Sequence, residues 1–275
     1  MTYRSLVLFP LGVVALGAAL ALLVPVEARE TVVLAEIDVS KVLALAGMAA
    51  AALAFDRGDY LRRGWGIWAA AYVLLLGRDA MLLAQGHVSR PVFDGARGVL
   101  VTAGNACVLV GAWTLARAWS VAGLEHPGPK RARRAVVLLA VLAALVFAGP
   151  TLYGDLRDLV LGTRAPFDSI ASNLGDILSL PLIAPVALTA VAVREGTLRW
   201  TWMLLTSSLV AWLLYDAIYD LPDSLSLAPA GFRLVSEQFH VLAGALACAA
   251  GLAQRKAVTD DDDERPERAP DVRRR

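Results

Sequence analysis

Residues 57–80 read RGDYLRRGWGIWAAAYVLLLGRDA, and residues 194–217 read REGTLRWTWMLLTSSLVAWLLYDA. Each stretch starts with arginines, continues through an uncharged apolar run and ends near an aspartate. Such runs are typical of helices that cross a bilayer, since an apolar core about 30 Å thick needs about 20 residues of helix. The two stretches therefore predict two membrane-spanning helices and, by their likeness, an internal repeat.

The repeat pairs residue 57 with residue 194, a shift of 137 residues. Apolar matches carry little weight in a membrane protein, whereas Arg, Trp and Asp are rare inside such segments. The informative pairs are Arg62 with Arg199, Trp65 with Trp202, and Asp79 with Asp216. We predict two tandem four-helix repeats, residues 1–128 and 129–256. Four helices per half is an even number, so the halves have the same orientation in the membrane, as in parallel repeats.

The rest of the chain fits an all-α membrane protein with eight transmembrane helices. Its residues are 57% hydrophobic and 19% charged, whereas soluble domains carry about 25% charged residues. Uncharged stretches alternate with short charged clusters. The predicted spans are 5–26, 38–56, 64–85, 98–119, 135–153, 173–193, 200–219 and 233–254.

The loop charges predict the orientation. Lysine and arginine are concentrated in the loops that follow spans two, four, six and eight, whereas the other loops are richer in aspartate and glutamate. Cytoplasmic loops carry the excess of Lys and Arg. We therefore expect a multi-pass protein of the plasma or inner membrane with both termini in the cytoplasm. Residues 257–275, AVTDDDDERPERAPDVRRR, predict a disordered charged tail because they have almost nothing to bury.

Composition also excludes several classes of function. A net charge of +1 argues against a nucleic-acid partner. Cys107 and Cys248 both lie in apolar runs, which argues against a disulfide framework. No recognised catalytic, cofactor or metal motif is present, so we assign no catalytic residue, cofactor or metal.

Ionisable residues inside predicted spans are the best candidates for a functional site, because a charge in the bilayer is costly. Asp79 lies fourteen residues beyond Trp65, about 21 Å along a helix at 1.5 Å per residue. Asp216 holds the equivalent position beyond Trp202. On span eight, helical spacing places Arg233, Glu237 and His240 on one face, followed by Gly244 and Gly251, which would admit a neighbouring helix.

We therefore expect an outer-facing polar pocket, formed mainly by spans six, seven and eight. Its predicted ligand-binding residues are Asp79, Asp176, Tyr215, Asp216, Arg233, Glu237 and His240. A purely structural interpretation stays open: Asp79 and Asp216 could pair with arginines such as Arg97 and Arg233 and pin helices together.

One resemblance bears on function. The segments 212–219, WLLYDAIY, and 176–183, DILSLPLI, resemble the multi-pass sensory regions that precede bacterial diguanylate cyclase and histidine kinase domains. This chain departs from that pattern, since no catalytic output domain follows span eight. The resemblance implies a sensor or scaffold that signals through a separate protein or through like subunits.

Three functions remain open from the sequence. The preferred one is a non-enzymatic module that senses a ligand or another stimulus through the polar pocket. The second is a proton- or ion-coupled transporter or channel, since carboxylates near an imidazole can relay protons. The third is a membrane enzyme acting on a lipid-linked substrate, with Glu237 or His240 as the base.

Overall fold

The computed structural model describes residues 2–82, 87, 89–121, 130–163, 167–192, 197–225 and 229–263. Within these residues the chain is all-helical. Its eight helices are α1 (Tyr3–Leu23), α2 (Val26–Leu53), α3 (Tyr60–Leu82), α4 (Arg90–Val121), α5 (Lys130–Leu161), α6 (Phe167–Ala192), α7 (Leu198–Leu225) and α8 (Pro229–Asp263). Each predicted span overlaps one helix. The predicted boundary between the two halves, after residue 128, lies outside the described residues.

Six of these helices, α1 and α4 to α8, are long and apolar enough to cross a membrane. They support the prediction of a multi-pass membrane protein. Helices α2 and α3 are missing from this set of six. Helix α2 begins twelve residues before its predicted span 38–56, and both helices contain charged residues. Those of α2 are Glu27, Arg29, Glu30, Glu36, Asp38 and Lys41, and those of α3 are Arg62, Arg63, Arg78 and Asp79.

The last helix continues past its predicted end. Residues 257–263 form the final turns of α8, so the prediction of disorder is wrong for this part of the tail. Lys256 supports the extension, because its Nζ lies 2.8 Å from a carboxylate oxygen of Asp260. A Lys–Asp pair one turn apart stabilises a helix. The remaining tail, residues 264–275, lies outside the described residues.

Six helices pack side by side in a closed ring, in the order α2, α3, α4, α6, α7 and α8, with α8 closing on α2. Helix α1 packs chiefly against α8, and α5 chiefly against α6. Both leave most of their surface exposed in the protein, which suits helices that face lipid. The ring therefore contains the core, and α1 and α5 are its peripheral helices.

Helix α1 begins and helix α8 ends at the same end of this bundle. The Lys256 ammonium, near the end of α8, lies 5.4 Å from the ring centre of Tyr3, which begins α1. We call this the terminal end; α2, α4 and α6 also end there, and α3, α5 and α7 begin there. The opposite end is called the far end.

Helices α2 and α8 approach each other at glycines. A Cβ atom built on Gly251 would lie 2.1 Å from the carbonyl oxygen of Gly47, and one on Gly244 would lie 2.7 Å from that of Ser40. Since the contacts advance along both helices together, α2 and α8 run parallel. The prediction that Gly244 and Gly251 admit a neighbouring helix is confirmed, and that neighbour is α2.

Three tryptophans fill the middle of the ring towards the terminal end. The ring centres of Trp65 and Trp202 are 6.4 Å apart, and Trp119 meets Trp202 edge-on at 5.4 Å. Trp65 and Trp202 are fully or almost fully buried. We call these three residues the tryptophan cluster. The cluster closes the bundle interior on this side, because its large aromatic rings fill the space between α3, α4 and α7.

The α2–α8 contact predicts the effect of adding one methyl group. Gly251→Ala is expected to lower the free energy of unfolding by about 1–3 kcal/mol, because the added Cβ meets backbone that cannot rotate away. Gly77→Ala, at a helical glycine with no atom near its virtual Cβ, is the matched control and should raise stability by up to about 1 kcal/mol. Denaturant titration in mixed micelles measures both. Equal effects of the two substitutions would contradict this packing.

Candidate functional site

A cavity of about 490 Å³ occupies the interior between the tryptophan cluster and the far end. Residues of seven helices, α2 to α8, line it. Its aromatic lining residues are Trp68, Tyr72, Trp212, Tyr215 and Tyr219. Its charged and amide lining residues are Arg78, Arg97, Asn105, Asp155, Asp168, Asn173, Asp176, Asp216 and His240. A cavity of this size with aromatic walls and a few polar groups is typical of a small-molecule site.

Two carboxyl groups meet in this cavity. Asp176 of α6 and Asp216 of α7 are hydrogen-bonded to each other. A carboxylate only accepts hydrogen bonds, so one member of the pair must carry a proton. The Oδ2 atom of Asp176 is buried and has no hydrogen-bond partner among the described residues.

The position of Asp176 depends on its neighbour Gly175. A Cβ built on Gly175 would lie 2.8 Å from the side-chain oxygen of Asn105 on α4. The glycine thus lets α4 approach α6 and brings the Asn105 amide into the cavity wall. Asn105 donates to the carbonyl of Val101 at 3.1 Å, which holds its oxygen towards α6.

A further carboxyl group comes from α5. Asp155 is only 8% exposed, lines the cavity, and its Oδ2 has no hydrogen-bond partner among the described residues. Asp155 lies beyond the predicted span 135–153. It is buried because α5 continues as a helix to Leu161, which carries Asp155 alongside the far half of the bundle.

His240 of α8 is held between two aromatic rings. Its ring centre lies 4.4 Å from that of Trp212 and 4.6 Å from that of Tyr215. The residue is 3% exposed and lines the cavity, yet neither ring nitrogen has a hydrogen-bond partner among the described residues. The Glu237 carboxylate comes within 3.7 Å of Nδ1, beyond hydrogen-bond length. Buried polar atoms are normally hydrogen-bonded, so His240 is free to bind a guest in the cavity.

The other conspicuous buried charges form a salt bridge. Lys41 of α2, 1% exposed, donates a hydrogen bond to Asp79 of α3. Arg78 binds the second carboxylate oxygen of Asp79, with its Nε at 2.7 Å. The buried Lys41 ammonium is thus paired with Asp79. This pairing fits the structural interpretation of Asp79 as a residue that pins helices together, with Lys41 and Arg78 as its cations.

The seven predicted site residues occupy three kinds of position. Four of them line the cavity: Asp176, Tyr215, Asp216 and His240. Glu237 lies beside His240, and Arg233 contacts the phenol of Tyr219 at 3.4 Å near the far end. Asp79 belongs to the α2–α3 salt bridge. The structure therefore brings residues of α6, α7 and α8 together, and it adds α3, α4 and α5 to the wall.

Sequence reasoning did not single out Tyr72 or Trp68 as site residues. Tyr72 is 3% exposed, and its hydroxyl is hydrogen-bonded to Trp212 and Ser208 across the ring. A single tyrosine within an apolar span gives no signal that distinguishes a cavity wall from a packed core. The same holds for Trp68.

A second cavity of about 450 Å³ lies nearer the terminal end, between α4, α5 and α6. Its lining includes Trp113, Arg117 and Arg133, together with Pro181 and Pro185 of α6. Helices α4 and α5 have no extensive contact with each other in the described residues, which leaves this cleft between them. Proline removes a helical hydrogen bond and bends a helix, which widens the space beside α6.

No group of three or more His, Cys, Asp or Glu side chains in the described part of the chain is placed to hold a metal ion. Comparison with known proteins adds no functional assignment: no protein-family model, curated protein or solved structure matches this chain.

The α2–α3 salt bridge predicts a dependence on its carboxylate. Asp79→Asn should lower the free energy of unfolding by about 3–5 kcal/mol, the cost of breaking a buried ion pair, because it leaves the buried Lys41 ammonium with only Asp38 at 4.0 Å. The double variant Lys41→Met with Asp79→Asn should recover much of that loss, since it removes the buried ammonium as well.

The matched control is the exposed pair Arg90 and Asp94, 3.9 Å apart at the far end. Arg90→Met should change the unfolding free energy by about 0–1 kcal/mol. Denaturant titration of all variants measures the differences. A double variant no more stable than Asp79→Asn would disprove the proposed coupling.

Proposed function

We propose that this chain is a multi-pass membrane protein that binds a small ligand in its central cavity and senses it without catalysing a reaction. The observation that carries the proposal is His240, buried against the cavity with both ring nitrogens unpartnered. A buried polar group without a partner costs about 1–3 kcal/mol. That cost is recovered when a bound molecule supplies the missing hydrogen bonds.

The surroundings of His240 favour binding over catalysis. Covalent and general acid–base catalysis need a nucleophile or proton donor within hydrogen-bond reach of a base. The nearest carboxylate oxygen to His240 is that of Glu237 at 3.7 Å, and the rings that hold the imidazole belong to Trp212 and Tyr215. These two rings, tilted by 52° to the imidazole, hold it in place without activating it.

A route from the cavity to a partner runs along α8. This helix carries His240 in the cavity wall and continues to Asp263 at the terminal end, about 35 Å further at 1.5 Å per residue. The resemblance of residues 176–183 of α6 and 212–219 of α7 to bacterial sensory regions supports a signalling function for the protein. A separate signalling protein or a second copy of the chain would then receive the signal at its end.

The orientation and the repeat are part of the same proposal. The concentration of Lys and Arg in the terminal-end loops supports placing both termini in the cytoplasm and the cavity towards the outside. The order of the ring supports eight spans in two tandem halves, since the packing of α2, α3 and α4 has its counterpart in α6, α7 and α8. The contact between the equivalent residues Trp65 and Trp202 fits an axis between the halves.

A second candidate, a proton-coupled transporter, is favoured by the two cavities on α6. Asp176 and Ser179 line the central cavity, whereas Pro181 and Pro185, a few residues further, line the second one. A bent helix between cavities that reach towards opposite ends could change the access of Asp176. This mechanism would require the tryptophan cluster to separate.

Proton flux distinguishes the two candidates. Proteoliposomes containing a trapped pH dye would be given an imposed membrane potential. The sensing proposal expects no flux above that of empty liposomes. Flux that disappears in Asp176→Asn, but persists in the exposed-carboxylate control Asp94→Asn, would overturn it in favour of transport.

Ligand sensing itself is tested by thermal unfolding, followed through tryptophan fluorescence, with a panel of phenylalkyl amines, alcohols and carboxylates. We expect at least one class to raise the unfolding temperature of the wild-type protein. His240→Phe should remove at least half of that rise, because phenylalanine keeps the aromatic contacts with Trp212 and Tyr215 but lacks both nitrogens. His87→Phe, at an exposed position near the far end, is the matched control. An equal rise in both variants would refute the role of His240.

A further inference from the structure

We propose that the ligand of the central cavity is an organic cation, an amine with an apolar body, which replaces the proton shared by Asp176 and Asp216. This inference rests on the proposed ligand site and names the chemistry of its occupant.

The cavity wall is acidic. Its carboxyl groups belong to Asp155, Asp168, Asp176 and Asp216, and its cations are Arg78 and Arg97. Arg78 already binds Asp79, at 2.5 Å between its Nη2 and a carboxylate oxygen. The wall thus has an excess of negative charge once the carboxyl groups are ionised, which favours a cationic guest and disfavours an anionic one.

Two of these carboxyl groups have oxygens available to a guest. Oδ2 of Asp155 and Oδ2 of Asp176 are both buried, and neither has a hydrogen-bond partner among the described residues. Asp155 is more than nine-tenths buried. A buried carboxylate oxygen normally accepts a hydrogen bond, and an ammonium group supplies several donors.

The hydrogen bond between Asp176 and Asp216 holds a proton that a bound ammonium group can replace. Two touching carboxyl groups resist simultaneous ionisation, because the charges repel at short range. One proton therefore occupies the pair while the cavity lacks a cation. An ammonium group placed between them donates a hydrogen bond to each carboxylate. The shared proton leaves to solvent as the ammonium enters, so one positive charge replaces another and the net charge of the site stays the same.

The aromatic lining fits the rest of such a ligand. Trp68, Tyr72, Trp212, Tyr215 and Tyr219 line the same cavity as the carboxyl groups. Aromatic faces attract cations through the ring quadrupole and bury apolar groups. A bare metal ion would use none of these faces, and the acids in the described residues are too dispersed to ligate one. The combination fits an alkyl or aryl amine.

His240 gives the site selectivity for amines that carry an N–H. A neutral imidazole offers one acceptor nitrogen, and both ring nitrogens of His240 are unpartnered. Its face is covered by Trp212 and Tyr215, so the guest must approach along the ring edge. A primary or secondary ammonium can donate to this nitrogen while it contacts a carboxylate, whereas a quaternary ammonium cannot.

The charged and titratable groups around the exchanging pair come from every helix that borders it. Arg78 and Tyr72 face it from α3, Arg97 from α4, and Asp155 from α5. Asp168 lies on α6 itself, Tyr215 and Tyr219 lie on α7 with Asp216, and His240 faces from α8. Behind them, Lys41 of α2 is paired with Asp79, and Glu237 lies beside His240.

The experiment measures the binding of three compounds with one phenylpropyl body to the purified protein in nanodiscs of neutral phosphatidylcholine. The compounds are 3-phenylpropylamine, 3-phenylpropanol and 3-phenylpropionate. Quenching of tryptophan fluorescence reports binding, since two tryptophans line the cavity. The amine should bind at least tenfold more tightly than the alcohol, and the propionate should bind most weakly.

Asp176→Asn should weaken amine binding about tenfold or more, the usual range for losing a hydrogen bond to a charged group, and should leave the affinity for the alcohol unchanged. Asp94→Asn, an exposed carboxylate at the far end, is the control and should change neither. Alcohol binding also shows that the variant is folded.

Proton release on amine binding can be tested independently with the wild-type protein alone. Calorimetry in two buffers of different ionisation enthalpy should detect the release of about one proton per amine bound, and amine affinity should fall as the pH falls, because protons compete for the pair. This measurement uses no variant, so its result does not depend on whether a substitution disturbs the fold.

The outcomes separate this inference from the proposed function. Alcohol or propionate binding as tight as that of the amine, or amine binding without proton release, would overturn the cation proposal. A ligand of another class whose effect depends on His240 would also overturn it, while leaving the sensing proposal in place. If no compound of any class bound, both proposals would fail.

Discussion

Every charge within the apolar part of this bundle must be neutralised where it lies, because moving it to water would require the helix to leave the ring. Lys41, Asp79 and Arg78 satisfy this requirement as one salt-bridged group between α2 and α3. Asp176 and Asp216 satisfy it in part, because the proton that the carboxyl pair holds removes one of its two charges. Both groups lie at contacts between neighbouring helices, so the order of the helices in the ring brings the compensating groups together.

The α2–α3 and α6–α7 contacts meet this requirement in different ways. The α2–α3 contact contains a cation for its aspartate, and the result is a closed internal ion pair. The α6–α7 contact has a second carboxyl group in place of the cation. In the proposed mechanism, this carboxyl pair exchanges its proton for another cation. Replacing a lysine by an acid at such a contact converts a structural bond into a candidate binding site. This explains why Asp79 lies outside the cavity wall and Asp216 lies within it.

Much of the architecture followed from patterns that the bilayer imposes on a sequence. Uncharged runs located all eight helices, and glycine spacing on span eight located a close helix contact. The partner of that contact could not be predicted, because Gly47 is one small residue among many in an alanine-rich helix. Helical spacing placed Arg233, Glu237 and His240 together, but it carries no information about distance across the bundle. The sequence therefore does not identify Tyr72, Trp68 and Asp155 as cavity residues, because their position in the cavity depends on how three other helices pack.

The pairing of α2 with α8 has a consequence for how the protein is made. Gly47 and Gly251 touch, yet about 200 residues separate them, which at 5–20 residues per second corresponds to roughly 10–40 s of translation. During that interval α2, with its six charged residues, has no final neighbour on one side. The nascent chain must therefore be sheltered in the insertion machinery or by transient contacts with α1 and α3. Ring closure becomes the last event of synthesis, and a truncated chain without α8 would lack the contact that completes the bundle.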